Sequence, residues 1–149
     1  MRSILTILFV IIAMIKADNS AASEATMALD TVPAFTGKFT DDYGIGYHIT
    51  DSVWTQLPKA KYHVLEWNRA EQYILARNDD NNPSEKGLYT RIDYLVLPGM
   101  APWTWAFCLT TYNAISAEVA LKAAAADRLN PRKGCNGFPF SRMKKAEHD

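Results

Sequence analysis

The chain has 149 residues, with 16 Lys or Arg balanced by 16 Asp or Glu. A near-neutral chain lacks the concentrated positive charge with which proteins attract nucleic acid or anionic membranes, so we predict no nucleic-acid partner. The length fits a single domain preceded by a short leader.

The N-terminus has the three parts of a secretory signal peptide. Arg2 supplies a positive charge, residues 4–15 are apolar except for one threonine, and Ala17 precedes a polar stretch. Crossing a bilayer takes about 20 apolar residues, so this run is too short for an anchor. We therefore predict a cleaved leader over residues 1–17, with cleavage a few residues downstream as the alternative.

Leader removal takes away Arg2 and Lys16, leaving 14 basic against 16 acidic residues and a formal charge of 14 − 16 = −2. We expect an exported protein, periplasmic or extracellular, with no membrane span after cleavage. Residues 18–34 are small and polar, which is typical of a flexible tether. The predicted domain covers residues 35–145, and residues 146–149 form a frayed tail.

The first predicted element is a hairpin. Its strands are Gly37–Thr40 and Tyr47–Ile49, and the turn between them contains Gly44, which tolerates a positive φ. Asp51 and Ser52 then resemble helix caps and predict a single helical turn that carries Val53 and Trp54.

Two hairpin strands and two further strands, called the third and fourth, are predicted after this turn. Tyr62–Trp67 and Gln72–Ala76 form a second hairpin, and apolar residues on both of its faces indicate a sheet covered on both sides. Leu88–Leu97 is the third strand. Trp103–Tyr112 is the fourth, and its two faces differ in bulk.

Period-2 alternation divides the fourth strand into a bulky and a small face. The bulky face carries Trp103, Trp105, Phe107 and Leu109, and the small face carries Thr104, Ala106, Cys108 and Thr110. An alanine-rich helix, predicted from Ser116 to about Arg128, would fit closely against the small face.

Cys108 and Cys135 are the only cysteines, and in an exported protein two cysteines are expected to pair. A disulfide between them would tie the end of the helix to the small face. The predicted fold class is therefore α+β: an antiparallel sheet of about five or six strands with one C-terminal helix packed on it.

The candidate ligand-binding residues are aromatic and charged side chains on the third and fourth strands. They are Tyr89, Arg91, Asp93, Trp103 and Trp105. Flat aromatic faces beside Arg and Asp are typical of sugar or peptide recognition. The competing interpretations are an ordinary cross-strand ion pair and tryptophans that simply fill the core.

The leading hypothesis is a small exported binding or interaction module without catalytic residues, whose ligand or protein partner the sequence does not identify. One alternative is a small hydrolase that uses His48 or His63 with Asp93 or Glu66. A second alternative is a structural envelope protein without a ligand.

No cofactor and no metal site is predicted. The loop at residues 78–82 is rich in Asn and Asp, and their oxygens are typical calcium ligands. However, the spacing does not match a calcium-binding loop, and the same residues are common in solvated turns.

Overall fold

The computed structural model describes residues 35–147, so the predicted leader and tether lie outside the described residues. Within that range the chain forms an eight-stranded antiparallel barrel with one short helix. Each strand pairs with the next along the chain, and the last pairs with the first. The strands are β1 Gly37–Asp41, β2 Gly46–Ile49, β3 Val53–Gln56, β4 Ala60–Asn68, β5 Tyr73–Asn78, β6 Tyr89–Val96, β7 Trp105–Ala114 and β8 Ser141–Lys145.

The predicted α+β class is therefore wrong, because the sheet closes on itself. Two of the strands that close it were not predicted: β3 was expected to be a helical turn, and no strand was predicted over β8. The physical reason for β3 is tertiary pairing, since Trp54 lies opposite both Ile49 and Tyr62 and is 1% exposed. Burying an indole outweighs a local capping preference.

Aromatic rings fill the barrel interior. The Trp105 ring centroid lies 5.3 Å from that of Phe39, 5.8 Å from that of Trp54 and 4.9 Å from that of Phe35. Eight-stranded barrels either fill their interior with side chains or hold one small ligand, and this barrel does the former. Among residues 35–147, the buried Tyr94 hydroxyl and Trp105 indole N–H have no hydrogen-bond partner, a cost that the packing of the rings must offset.

The helix α1, Ala117–Lys122, begins where predicted but ends about six residues early. The Ser116 hydroxyl caps it by accepting a hydrogen bond from the Val119 backbone N–H. The chain then leaves helical geometry at Ala123, and the Ala126 N–H donates to the buried Asp93 carboxylate instead of continuing the helix. A tertiary bond to a buried charge outweighs the helix propensity of alanine.

The segment from residue 123 to residue 140, which we call the strap, runs over the outer face of β6 and β7. The predicted disulfide between Cys108 and Cys135 is confirmed, with Cα atoms 5.5 Å apart, and it fastens the strap to β7. The strap also folds tightly on itself at Gly134. A Cβ atom there would lie 1.9 Å from the Asp127 carbonyl oxygen, so this position accepts only glycine.

In the described part of the chain, no helix combines the length and the apolar character needed to cross a bilayer.

Candidate functional site

Arg91 and Asp93, two of the predicted site residues, are brought together on the outer face of β6 and are buried beneath the strap. Asp93 is fully buried and accepts hydrogen bonds from Arg91 at 3.1 Å and from Arg128 at 2.7 Å. The Thr110 hydroxyl and the Ala126 backbone N–H also donate to this carboxylate. The carboxylate is thus saturated by protein donors.

The other predicted residues lie elsewhere. Trp105 faces the barrel interior. Tyr89 packs outside the barrel against the apolar cluster through which α1 contacts β5. Trp103 precedes β7, lies outside the barrel, and packs against the cluster that includes Leu95 and Phe140. The five residues do not line one cavity, and a ligand-binding role for them stays a prediction.

The two histidines of the domain are both exposed on the outer surface. His63 Nε2 lies 2.7 Å from the Asp79 carboxylate, and not beside Asp93 or Glu66, the partners considered from sequence. The backbone N–H of Asn81, followed by His63, lowers the pKa of Asp79 to about 2. Among residues 35–147, no cluster of three or more His, Cys, Asp or Glu has a geometry suited to a metal ion.

Side-chain oxygens in the loop at residues 78–82 form bonds within the protein. The Asn78 carbonyl oxygen accepts a hydrogen bond from the Thr90 hydroxyl, and the Asn82 side chain bridges to the backbone N–H and C=O of Lys61. Asp79 accepts hydrogen bonds from His63 and Asn81. The bonds to Lys61 and His63 fasten the loop to β4, and the bond to Thr90 fastens it to β6.

Two small hollows lie at the barrel end where β5 runs into this loop. Their volumes are about 210 and 240 Å³, and Leu109 contributes to both. Burial raises the pKa of two tyrosines that line them, Tyr47 and Tyr62. Ligand pockets usually measure about 300 to 1,000 Å³, so each hollow is small for an organic ligand.

A larger groove lies outside the barrel, between the strap, the β1–β2 turn and the β6–β7 loop. We call it the outer groove, and its volume of about 560 Å³ falls within the usual range for ligand pockets. Its lining consists of apolar side chains and three charged ones: Asp42, Tyr43, Leu97, Met100, Ala106, Pro131, Arg132, Pro139, Phe140 and Arg142.

The floor of the outer groove is apolar and firmly held. Leu97, Ala106 and Phe140 are each at most 8% exposed and belong to one packed cluster. The Phe140 backbone N–H donates to the Pro131 carbonyl oxygen at 2.9 Å, which joins the two sides of the strap that face the groove. The groove is therefore formed by packed side chains and backbone hydrogen bonds before any ligand arrives.

Arg142 is the most highly organised polar group in the outer groove. Its Nε donates to Asp42 Oδ2 at 2.9 Å, and its backbone N–H donates to Asp42 Oδ1 at 3.2 Å. Its guanidinium carbon lies 5.1 Å from the ring centroid of Trp103, close enough for a cation–π contact. The guanidinium thus has a fixed orientation, while 44% of the side chain stays exposed.

Comparison of the chain with family models, curated proteins and solved structures gives no match.

No local sequence pattern predicts the outer groove. Asp42 and Tyr43 lie near the start of the domain and Arg132 and Arg142 near its end, and the pairing of β1 with β8 brings the two segments together. One local signal was present: Arg142 and Lys144 flank the apolar Met143, which is the alternation expected of a strand with outward-facing cations.

Proposed function

We propose that this protein is a small exported binding module without catalytic machinery, and that its ligand is a small molecule with an apolar body held in the outer groove. The observation that carries the proposal is that the outer groove has free volume and the barrel interior does not. Aromatic rings occupy the barrel interior, whereas the outer groove offers about 560 Å³ above an apolar floor. The disulfide is compatible with export, because such bonds persist in oxidising compartments.

The proposal is tested by titrating the isotope-labelled protein with 1-naphthalenemethanol, a neutral aromatic probe, and following backbone amide chemical shifts. We expect saturable shifts at Tyr43, Met100 and Arg132, which line three sides of the groove. Met100→Glu should weaken binding about tenfold, because it replaces an apolar contact with a charge.

The matched control is Leu129→Glu, which makes the same kind of change at a strap residue that is 97% exposed and does not line the groove. It should leave the affinity unchanged. Saturable shifts confined to another surface, or no saturable shifts at all, would show that the outer groove is not the binding site.

A further inference from the structure

We infer that the ligand of the outer groove is an organic acid, with an apolar body on the groove floor and a carboxylate held by Arg142 and Arg132. This inference rests on the proposed function and specifies its ligand class. It begins from charge: the mature chain is predicted to be slightly negative, yet this groove carries two guanidinium groups and one carboxylate.

The single carboxylate of the groove is already occupied. Both oxygens of Asp42 accept hydrogen bonds from Arg142, one from the side chain and one from the backbone. Asp42 therefore orients the guanidinium and neutralises part of its charge. It is not an open acceptor that would attract a cationic ligand.

The donors, in contrast, are still available. Among residues 35–147, the terminal Nη atoms of Arg142 make no hydrogen bond, and the side chain of Arg132 forms neither a hydrogen bond nor an ion pair. Lys144 adds a third positive charge nearby, with its Nζ 5.7 Å from the Trp103 ring centroid. Charge complementarity thus favours an anion.

The geometry of Arg142 favours a carboxylate in particular. A guanidinium presents donors in a planar fork that matches the two oxygens of a carboxylate. Asp42 and Trp103 already hold this fork in place, so little side-chain freedom is lost on binding. The apolar floor beside it, formed by Leu97, Ala106 and Phe140, suits a hydrocarbon or aromatic body.

The test compares probes that share one apolar body and differ in charge. These are 1-naphthoate against 1-naphthalenemethanol, and octanoate against octanol and octylammonium, each titrated by calorimetry at low ionic strength. We expect each carboxylate to bind about 10 to 100 times more tightly than its alcohol, because it gains charge-assisted hydrogen bonds. Octylammonium should bind more weakly than octanol.

The variants Arg142→Gln and Arg132→Gln should each weaken carboxylate binding about tenfold or more while leaving the affinity for the alcohols within about twofold. Testing both keeps the result interpretable if Arg142→Gln disturbs the β1–β2 turn. Arg77→Gln is the matched control, since Arg77 is also exposed and ion-paired, at 2.7 Å to Asp80, but does not line the groove.

The outcomes separate the two proposals. If the alcohols bind in the groove and the acids bind no more tightly, the ligand is not an acid, but the proposed function stands. If Arg77→Gln lowers carboxylate affinity as much as Arg142→Gln, general electrostatic attraction explains the preference for acids, and the assignment of the carboxylate to the Arg142 guanidinium is wrong. If neither acids nor alcohols perturb the groove, both proposals are overturned.

Discussion

Strand β6 is buried on both faces, and its two faces are buried by different means. On the inner face, Ile92 and Tyr94 are covered by the apolar interior of a closed barrel. On the outer face, Arg91 and Asp93 are also buried, but only because the strap and α1 lie over them. The comparison shows that alternation along a strand separates two faces without revealing which of them is the core.

Single substitutions on the two faces should also lower the stability of the fold by different mechanisms. The inner face is held by nonpolar packing, which is spread over many contacts. The outer face is held by an ion network centred on one carboxylate and by one covalent bond. Losing a single partner there leaves a buried charge without compensation, which is more costly than losing one contact among many.

The largest effects, of similar size, are expected for Trp105→Ala and Asp93→Asn, and the first of these removes a ring from the centre of the interior. Truncation of a buried Trp costs about 3 to 5 kcal/mol, because a cavity remains where the ring was packed. Trp103→Ala, which truncates a partly exposed ring outside the barrel, should cost clearly less. Urea denaturation of both variants measures the difference, and equal costs would contradict the assignment of the two tryptophans to opposite sides of the barrel wall.

Asp93→Asn tests the outer face. It should lower the free energy of unfolding by about 3 to 5 kcal/mol, because the nearly buried Arg91 loses its counter-charge. Asp42→Asn is the matched control: it removes a carboxylate from an ion pair whose Arg142 side chain is 44% exposed, and should cost about 1 kcal/mol or less. If the two variants were equally stable by urea denaturation, the ion pairs around Asp93 would contribute no more to stability than an exposed ion pair does.

The double variant Cys108→Ser with Cys135→Ser weakens the fastening of the strap without touching the interior. We expect a loss of about 2 to 4 kcal/mol, since the bridge restricts the unfolded chain. Hydrogen exchange should show faster opening of the strap near Asn136, while amides of β4 and β5 stay protected relative to it. Uniform acceleration over all strands would mean that the strap and the barrel unfold as one unit.

The smallest effect concerns acid stability at the loop after β5. Asp79 has a folded-state pKa of about 2, below the value of about 3.9 expected when unfolded. The contribution of Asp79 to the free energy of unfolding is therefore complete above about pH 4 and is lost as the pH falls towards 2. The stability difference between the protein and Asp79→Asn should shrink over that window in urea titrations, whereas a difference that stayed constant would contradict this pKa.

Local patterns in the sequence predicted the β1–β2 hairpin, the start of α1 and the disulfide, because each depends on neighbouring residues or on only two cysteines. The helical turn predicted around Val53 was wrong, because this segment is strand β3. The Thr50 hydroxyl accepts a hydrogen bond from the Val53 N–H at 2.9 Å in a tight turn between strands, and polar turn residues of this kind resemble a helix cap.

The helix predicted over the alanine run after Lys122 was wrong because a contact distant in sequence overrides the local preference. Its helix propensity is high, but no apolar periodicity over residues 123–128 requires a helix there, and the buried Asp93 carboxylate attracts the Ala126 N–H and the Arg128 guanidinium. Asp93 lies 33 residues before Ala126, so no local window contains both. The outer groove was missed for the same reason, since its walls come from opposite ends of the domain.

The pairing of β1 with β8 also sets the order in which the molecule can be completed. Phe39 lies opposite Lys145, so the final seam joins the two ends of the domain. Until Ser141–Lys145 has emerged during synthesis, one edge of β1 has no partner, and unpaired edges invite association with other chains. Contacts this distant in sequence also form slowly. The vulnerable interval of this protein is therefore the time between the appearance of its first strand and the arrival of its last.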